Sequence, residues 1–314
     1  MAMVVAHSVT EIRRQPNSAV TVGSFDGVHL GHREILRDVV SRAASLKGRS
    51  VVVTFDPHPR EVVGRTPIAQ LTSLAERLDE FAVFGVDVTL ILKFTYDFSR
   101  LTAREFYQRF IIDGVGAAEV VEGHDHMFGR DREAGVAALI ELGKEFGFTT
   151  TTVHPVMIDG EVVSSSGIRE SLLGGDVAKA ARFLGRPYQL TGTVVRGDGR
   201  GAEIGFPTAN LEPIPRQKLI PADGVYFVSA DVGEKKMHGM LNIGTRPTFT
   251  AGVQRSVEVH LFDFNGAIYG TEVTVRFHQR LRQEKQFSSK DEFITQLQHD
   301  RSICQTLIDA GLPT

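Results

Sequence analysis

The feature that most constrains this chain is a change of pattern part-way along it. Up to about residue 186, short runs rich in apolar and β-branched residues alternate with amphipathic segments. The runs are AVTVGSF (19–25), SVVVTF (50–55), VDVTLIL (86–92), AAEVVEG (117–123) and TTTVHP (150–155). Between the first two, Ile35, Leu36, Val39, Val40, Ala43 and Leu46 recur at helical spacing, and Leu71, Leu74, Leu78 and Phe81 do the same over 72–84. Thr72 or Ser73 can cap that second helix, with Glu76 completing a capping box after Ser73. Helices near 102–112 and 131–146 finish the alternation. Apolar strands separated by amphipathic helices predict a mostly parallel sheet covered on both faces.

Beyond a helix within 176–188, the alternation stops and strands dominate: QLTGTVVRG, GVYFVSADV, KMHGMLNIG, SVEVHLFDF and AIYGTEVTVRFHQRL. Asn265-Gly266 between the last two predicts a hairpin, and Asp159-Gly160 a smaller one. Glycine and proline crowd 197–224, which reads as a long loop of functional character. A helix over about 289–310 closes the chain. Two domains follow, residues 1–186 as α/β and 187–314 as a barrel of six strands or fewer with a C-terminal helix. Composition narrows the setting. A formal charge of −3 and the absence of basic runs give no reason to expect nucleic acid. With Cys304 the only cysteine, no intrachain disulfide is possible, which suits a reducing cytoplasm. No apolar stretch nears the roughly 20 residues of a membrane span, so no membrane is expected.

TVGSFDGVHLGHREIL (21–36) reads as a strand, a turn and a helix, with His29 and His32 around Gly31. The turn lies at a carboxyl strand end, where open α/β sheets bind ligands. Free N–H groups at the start of helix 31–46 favour an anion by about 0.3–1 kcal/mol, too little for catalysis. His29 and His32 can add hydrogen bonds to phosphate oxygens, and Gly27 and Gly31 let the backbone come close. The plainer alternative has one histidine capping the helix and the other exposed. Zinc is disfavoured, since no HExxH is present and Cys304 is remote.

GSFDGVHLGH resembles the GxFDxxHxGH pattern of nucleotidyltransferases, and VVTFDPHPREV (52–62) is similar to the next block of one branch. That branch is the bifunctional riboflavin kinase/FMN adenylyltransferase family, and the resemblance runs from about residue 8 to 310. It implies a Rossmann-like nucleotidyltransferase domain followed by a small antiparallel β-barrel domain with a C-terminal helix. In the first, AMP passes from ATP to FMN, with His29 and His32 on the ATP phosphates and Gly23, Phe25 and Gly31 also at the nucleotide. EGHDHMFGRDREAG (122–135) resembles G-x-D/N-F-x-F-G, so Asp125, Phe128 and Gly129 match while His124 and His126 depart from it. Asp125 is thereby expected at nucleotide and flavin, although read alone an Asp before a helix is a cap or turn residue. VVSSSGIRESLLGGD (162–176) resembles S-S-T/S-x-I-R, which assigns Ser164, Ser165, Ser166 and Arg169 to phosphate binding before a helix starting near Ile168. Without the resemblance, these residues are equally a serine cap and a surface arginine.

VVRGDGRGAEIGFPTANL (194–211) is neither a P-loop nor a GxGxxG fingerprint. It is a glycine-rich stretch able to wrap phosphates, followed by Pro207-Thr208-Ala209-Asn210. As a bare pattern PTAN is a turn; it matches the G-x-PTAN pattern of riboflavin kinases. The match implies nucleotide contacts at Gly199, Gly201, Gly205 and Pro207, and Mg²⁺ at Thr208 and Asn210. Alternation in SVEVHLFDF puts Val257, Val259 and Leu261 on one face and Glu258 and His260 on the other, by default a solvated face. The resemblance instead makes Glu258 the general base for the riboflavin 5′-hydroxyl, and places Arg282 of RLRQEKQF near the flavin. Its substrates would be ATP, riboflavin and FMN, with Mg²⁺ in both steps, and its products would pass to flavoproteins by transient contact. Three rivals remain at this point: the same fold with riboflavin kinase activity alone, a non-enzymatic flavin or nucleotide sensor, and a cytidylyltransferase. The last leaves the PTAN barrel unexplained.

Overall fold

A computed structural model of the chain describes residues 2–64, 68–124, 135–196, 201, 204–247 and 253–311. Two compact units emerge, Met1–Ser165 and Ser166–Thr314. Helices Ser165–Gly174 and Val177–Leu184 fall largely or wholly in the second unit.

In the first unit, strands β1 (Val4–Ala6), β2 (Ser18–Val22), β3 (Ser50–Asp56), β4 (Val88–Lys93), β5 (Ala117–Gly123) and β6 (Thr149–Val153) form one six-stranded sheet, ordered β1-β4-β3-β2-β5-β6. Every pairing is parallel. Every residue of β2 is buried, as a strand covered on both faces requires. Its side chains sort by period two. Val20 and Val22 join Val51, Val53, Leu90 and Val120 in the core under Tyr107, Ile111 and Leu139. Ala19 faces the other way, onto Val39 and Ala43 of helix α1 (Leu30–Ser45). Helices α2 (Pro59–Val63), α3 (Leu74–Val83), α4 (Tyr96–Ser99), α5 (Ala103–Phe106) and α6 (Val136–Phe146) complete the covering layers. The α3 capping box is Ser73 with Glu76. The helix expected over 102–112 is a short α5 continued by a π-helical turn, Tyr107–Val115. Strand order reverses between β2 and β5, which makes that gap the switch point.

The Asp159-Gly160 hairpin forms, joining β7 (Met157–Ile158) to β8 (Glu161–Val162) with positive φ at both turn residues. The second unit begins with most of α7 (Ser165–Gly174) and with α8 (Val177–Leu184). Strands β9 (Tyr188–Val195), β10 (Ala209–Pro213), β11 (Gly224–Val232), β12 (Lys235–Pro247), β13 (Val253–Leu261) and β14 (Glu272–Arg282) close an antiparallel barrel, ordered β10-β13-β12-β11-β14-β9. Two expectations are corrected here. The segment 197–224 is not all loop, because Ala209–Pro213 pairs with β9 and β13. Asn265-Gly266 does not join paired strands: β13 lies between β10 and β12, and β14 between β11 and β9. Barrel closure, a long-range constraint, overrides the local turn preference. Helix α9 (Lys290–Asp309) lays Leu297, Leu307 and Ile308 on Phe206, Val225, Phe227 and Met240. Cys304 is buried there, and burial pushes its thiol up to about 12, so it is an inert core residue.

Candidate active sites

At the carboxyl end of β2 the chain turns through Phe25, Gly27 and Val28, all at positive φ. A β-branched residue there is strained, and Val28 is held because it is fully buried. Asp26 anchors the turn: its carboxylate accepts the N–H groups of Leu71 (2.9 Å) and Thr72 (2.9 Å) and the Thr72 hydroxyl (3.1 Å). Gly27 N–H donates to Thr72 Oγ1 at 2.8 Å. The buried Arg77 guanidinium donates to the Ser24 carbonyl at 2.8 Å and to Thr54 Oγ1 at 3.0 Å. The turn is therefore tied to β3 and to the start of α3 before any ligand arrives.

His29 is the N-cap of α1, its Nδ1 accepting the His32 N–H at 3.3 Å. An imidazole that accepts at Nδ1 carries its proton at Nε2 when neutral, so that second ring nitrogen is a donor. The two rings stack at 3.7 Å, and a side chain at Gly31 would press on the His29 ring at 3.2 Å. His32 is only partly exposed, and its Nδ1 is buried without a hydrogen-bond partner. Burial first, and the neighbouring His29 second, hold its pKa well below the usual histidine value. So the capping alternative raised by the sequence describes His29 correctly, but His32 is not an exposed bystander. Phe25 lies edge-on to His32 at 5.1 Å, and a side chain at Gly23 would meet the Phe25 ring at 3.1 Å.

The serine run is displaced from its expected position. Helix α7 starts at Ser165, not near Ile168, so Ser165 and Ser166 lie in its first turn. Within the first unit, Ser165 Oγ donates to the Asp26 carbonyl at 2.8 Å. Ser164 precedes it, and Ser166 and Arg169 follow on α7 within the second unit. Asp125, His126, Phe128, Gly129 and Gly199 lie outside the described residues.

In the barrel, register brings the second constellation together. Asn210 on β10 stands opposite Glu258 on β13, and Glu258 stands opposite Asn242 on β12. Directly opposed residues share a face, so one polar row crosses three strands. Thr208 Oγ1 donates to Glu258 Oε2 at 3.4 Å and Ser256 Oγ to Oε1 at 3.3 Å, long contacts that a substrate hydroxyl can replace. Glu258 is half-buried, whereas Thr208 is exposed. His260, two residues along β13, donates from Nδ1 to the Pro207 carbonyl at 2.8 Å and pins the PTAN segment to the strand that carries Glu258. Gly201 packs so closely that any side chain there would run into the Phe206 carbonyl; Gly205 adopts φ 81°. Arg282 ends β14 paired with the buried Asp300 of α9 at 2.8 Å, so it is held in place and is not a loose loop arginine.

A family model described as FAD synthetase matches residues 11–167, and one described as riboflavin kinase matches 184–308. The bifunctional riboflavin kinase/FMN adenylyltransferase of Pseudomonas fluorescens is 37% identical over 287 residues, covering 91% of this chain and 92% of that protein. The chain belongs to this family. The family member from Bacillus subtilis (strain 168), with the same printed name, is 35% identical over 293 residues, covering 91% of each chain. A crystal structure from Streptococcus pneumoniae, described as a macrolide-efflux protein, is similar with TM-score 0.87 and 33% identity, covering 97% of this chain and 99% of that one. Among the described residues, no helix is long and apolar enough to cross a membrane.

Sequence reasoning passed over several residues that organise these family sites. Asp26 and Arg77 hold the histidine turn, and Asn242 and His260 flank the barrel row. Strand alternation already placed His260 beside Glu258. Asp26 sits inside the quoted motif, so its position was open to inspection. Asn242 and Arg77 become visible only through register and tertiary contact.

Proposed function

We propose that the chain makes FAD in two ATP-dependent steps, FMN from riboflavin and then FAD from FMN. The observation that carries this reading is that the two family models follow each other along the chain, and each covers one built constellation: the stacked histidines at a helix start, and the Asn210–Glu258–Asn242 row beside PTAN. In the barrel, Glu258 takes the proton of the riboflavin 5′-hydroxyl as its oxygen attacks the γ-phosphorus of ATP. The bond to the β-phosphate bridging oxygen breaks and ADP leaves. Gly201, Gly205 and Pro207 border the phosphates through backbone groups, and Arg282 borders the flavin.

Thr208 and Asn210 offer a hydroxyl and an amide oxygen beside Glu258, a hard-donor set that fits Mg²⁺ shared with substrate phosphates. Bound there, the ion would neutralise and align those phosphates. In the α/β unit the FMN phosphate attacks the α-phosphorus of ATP and pyrophosphate leaves. The nucleophile is already an anion, so no base is needed. His29 and His32 donate to the phosphate oxygens where charge develops, and Ser164 and Ser165 supply further donors. The functional division at 186/187, a cytoplasmic setting and transient handover of coenzyme to flavoproteins accompany this reading. Chromatography of products from riboflavin, ATP and Mg²⁺ tests it. FMN followed by FAD is expected; neither product would refute it, and FMN without FAD would favour the kinase-only alternative.

A further inference from the structure

The switch-point gap has an unusual filling. β2 pairs with β3 as far as Val22↔Val53, and β5 pairs with β6 as far as Gly123↔Val153. Between themselves, however, β2 and β5 share no rung beyond Val20↔Val120. The Gly23 N–H turns to the Val53 carbonyl at 3.0 Å, so the preceding Val22 N–H faces β5. It donates there to a side chain, Glu122 Oε1, at 3.0 Å. Glu122 is 1% exposed, and the fully buried Tyr107 lies near enough to feel its charge. Burial pushes the Glu122 carboxyl well above its ordinary value, which favours its protonated form.

Val22 is the last strand residue before the turn that carries His29 and His32. That turn is anchored on its far side by Asp26 and Arg77, toward β3 and α3. Glu122 supplies the anchor on the β5 side. We propose that Glu122 is a positioning residue for adenylyl transfer: its side chain replaces the backbone rung that would close β2 against β5, fixing the entry of the histidine turn and the width of the crevice below it. The proposal rests on the adenylyltransferase reading for its rate effect but not for its structural effect. A carboxyl and a carboxamide both present an oxygen acceptor, whereas methionine fills the volume and strands the Val22 N–H.

The test uses the full chain with Glu122→Met and Glu122→Gln. Each variant is assayed for FAD from FMN, for FMN from riboflavin, and for hydrogen exchange at the Val22 amide. Glu122→Met is expected to lower kcat for FAD formation by about 10²-fold, the scale of a small misplacement of reacting groups. Its FMN formation stays at the parent rate, and its Val22 amide exchanges faster. Glu122→Gln is expected to match the parent in all three readouts. Parent-like FAD formation in a folded Glu122→Met would overturn the proposal, as would equal loss of both activities. Should Glu122→Met fail to fold, Glu122→Gln decides alone: loss of FAD formation or fast Val22 exchange in it overturns the proposal. A parent chain that makes no FAD would sink the functional reading instead, leaving the amide exchange to judge the clamp.

Discussion

Replacing Glu258 by glutamine separates the two chemistries most cleanly. The side chain keeps its length, with a carbonyl oxygen facing one of the Thr208 and Ser256 hydroxyls and an NH2 group facing the other, both at long range already, so little packing changes. What is lost is the ability to take a proton from an alcohol. Such a base contributes about 10²–10⁴ in rate, or roughly 3–5 kcal/mol of barrier at 1.36 kcal/mol per decade. The strand itself is secured elsewhere, by its pairing with β10 and β12 and by the His260–Pro207 bond. FMN formation from riboflavin should therefore fall by that factor while FAD formation from supplied FMN is unchanged. Chromatography of both reactions on one preparation provides the assay, with the unaffected step serving as a folding control. Equal losses in the two steps, or a kinase loss under about tenfold, would refute the assignment of Glu258 as base.

Three further outcomes follow from particular contacts. His29→Ala removes a donor and the α1 cap and should cut FAD formation by about 10²–10³ while FMN formation persists, as pyrophosphate release reports. His278, beside His238 and donating or accepting at Ser229 Oγ over 2.9 Å, is held at about 4, first by burial. The unfolded chain takes this proton first, so stability should fall as pH drops from about 6.5 toward 4; His278→Gln should reduce that fall in the unfolding free energy from urea titrations by about 1–2 kcal/mol, allowing for its partial exposure. Ser73→Ala, which breaks the α3 capping box, should cost about 1 kcal/mol in the same urea assay.

Local chemistry made much of this molecule legible. The β5 strand, Ala117–Gly123, coincides with its sequence expectation because its apolar run ends at a glycine. Asp159-Gly160 turned as expected because nothing distant competes for a two-residue hairpin. The misses arise where distant segments decide. Ala209–Pro213 is a strand because β9 and β13 flank it, although its Gly- and Pro-rich surroundings read as loop. Asn265-Gly266 failed as a pairing signal because the barrel closes through β9 and β10. Of the sites, His29, His32, Thr208, Asn210 and Glu258 announced themselves by motif. Glu122 did not, since its partner Val22 lies far away in sequence and an acidic residue near a strand end usually faces water.

The central claim is that one chain breaks two different bonds of ATP at two separate constellations. Isotope tracing tests this directly, with riboflavin and ATP labelled either at the γ- or at the α-phosphorus. The account predicts γ-label in FMN and in the FMN half of FAD, and α-label in the AMP half of FAD only. It further predicts that Glu258→Gln suppresses γ-transfer to riboflavin while α-label still reaches supplied FMN, and that His29→Ala does the reverse. Label reaching flavin from only one phosphorus in the parent chain, or a variant that loses both γ-transfer to riboflavin and α-transfer to supplied FMN, would contradict it.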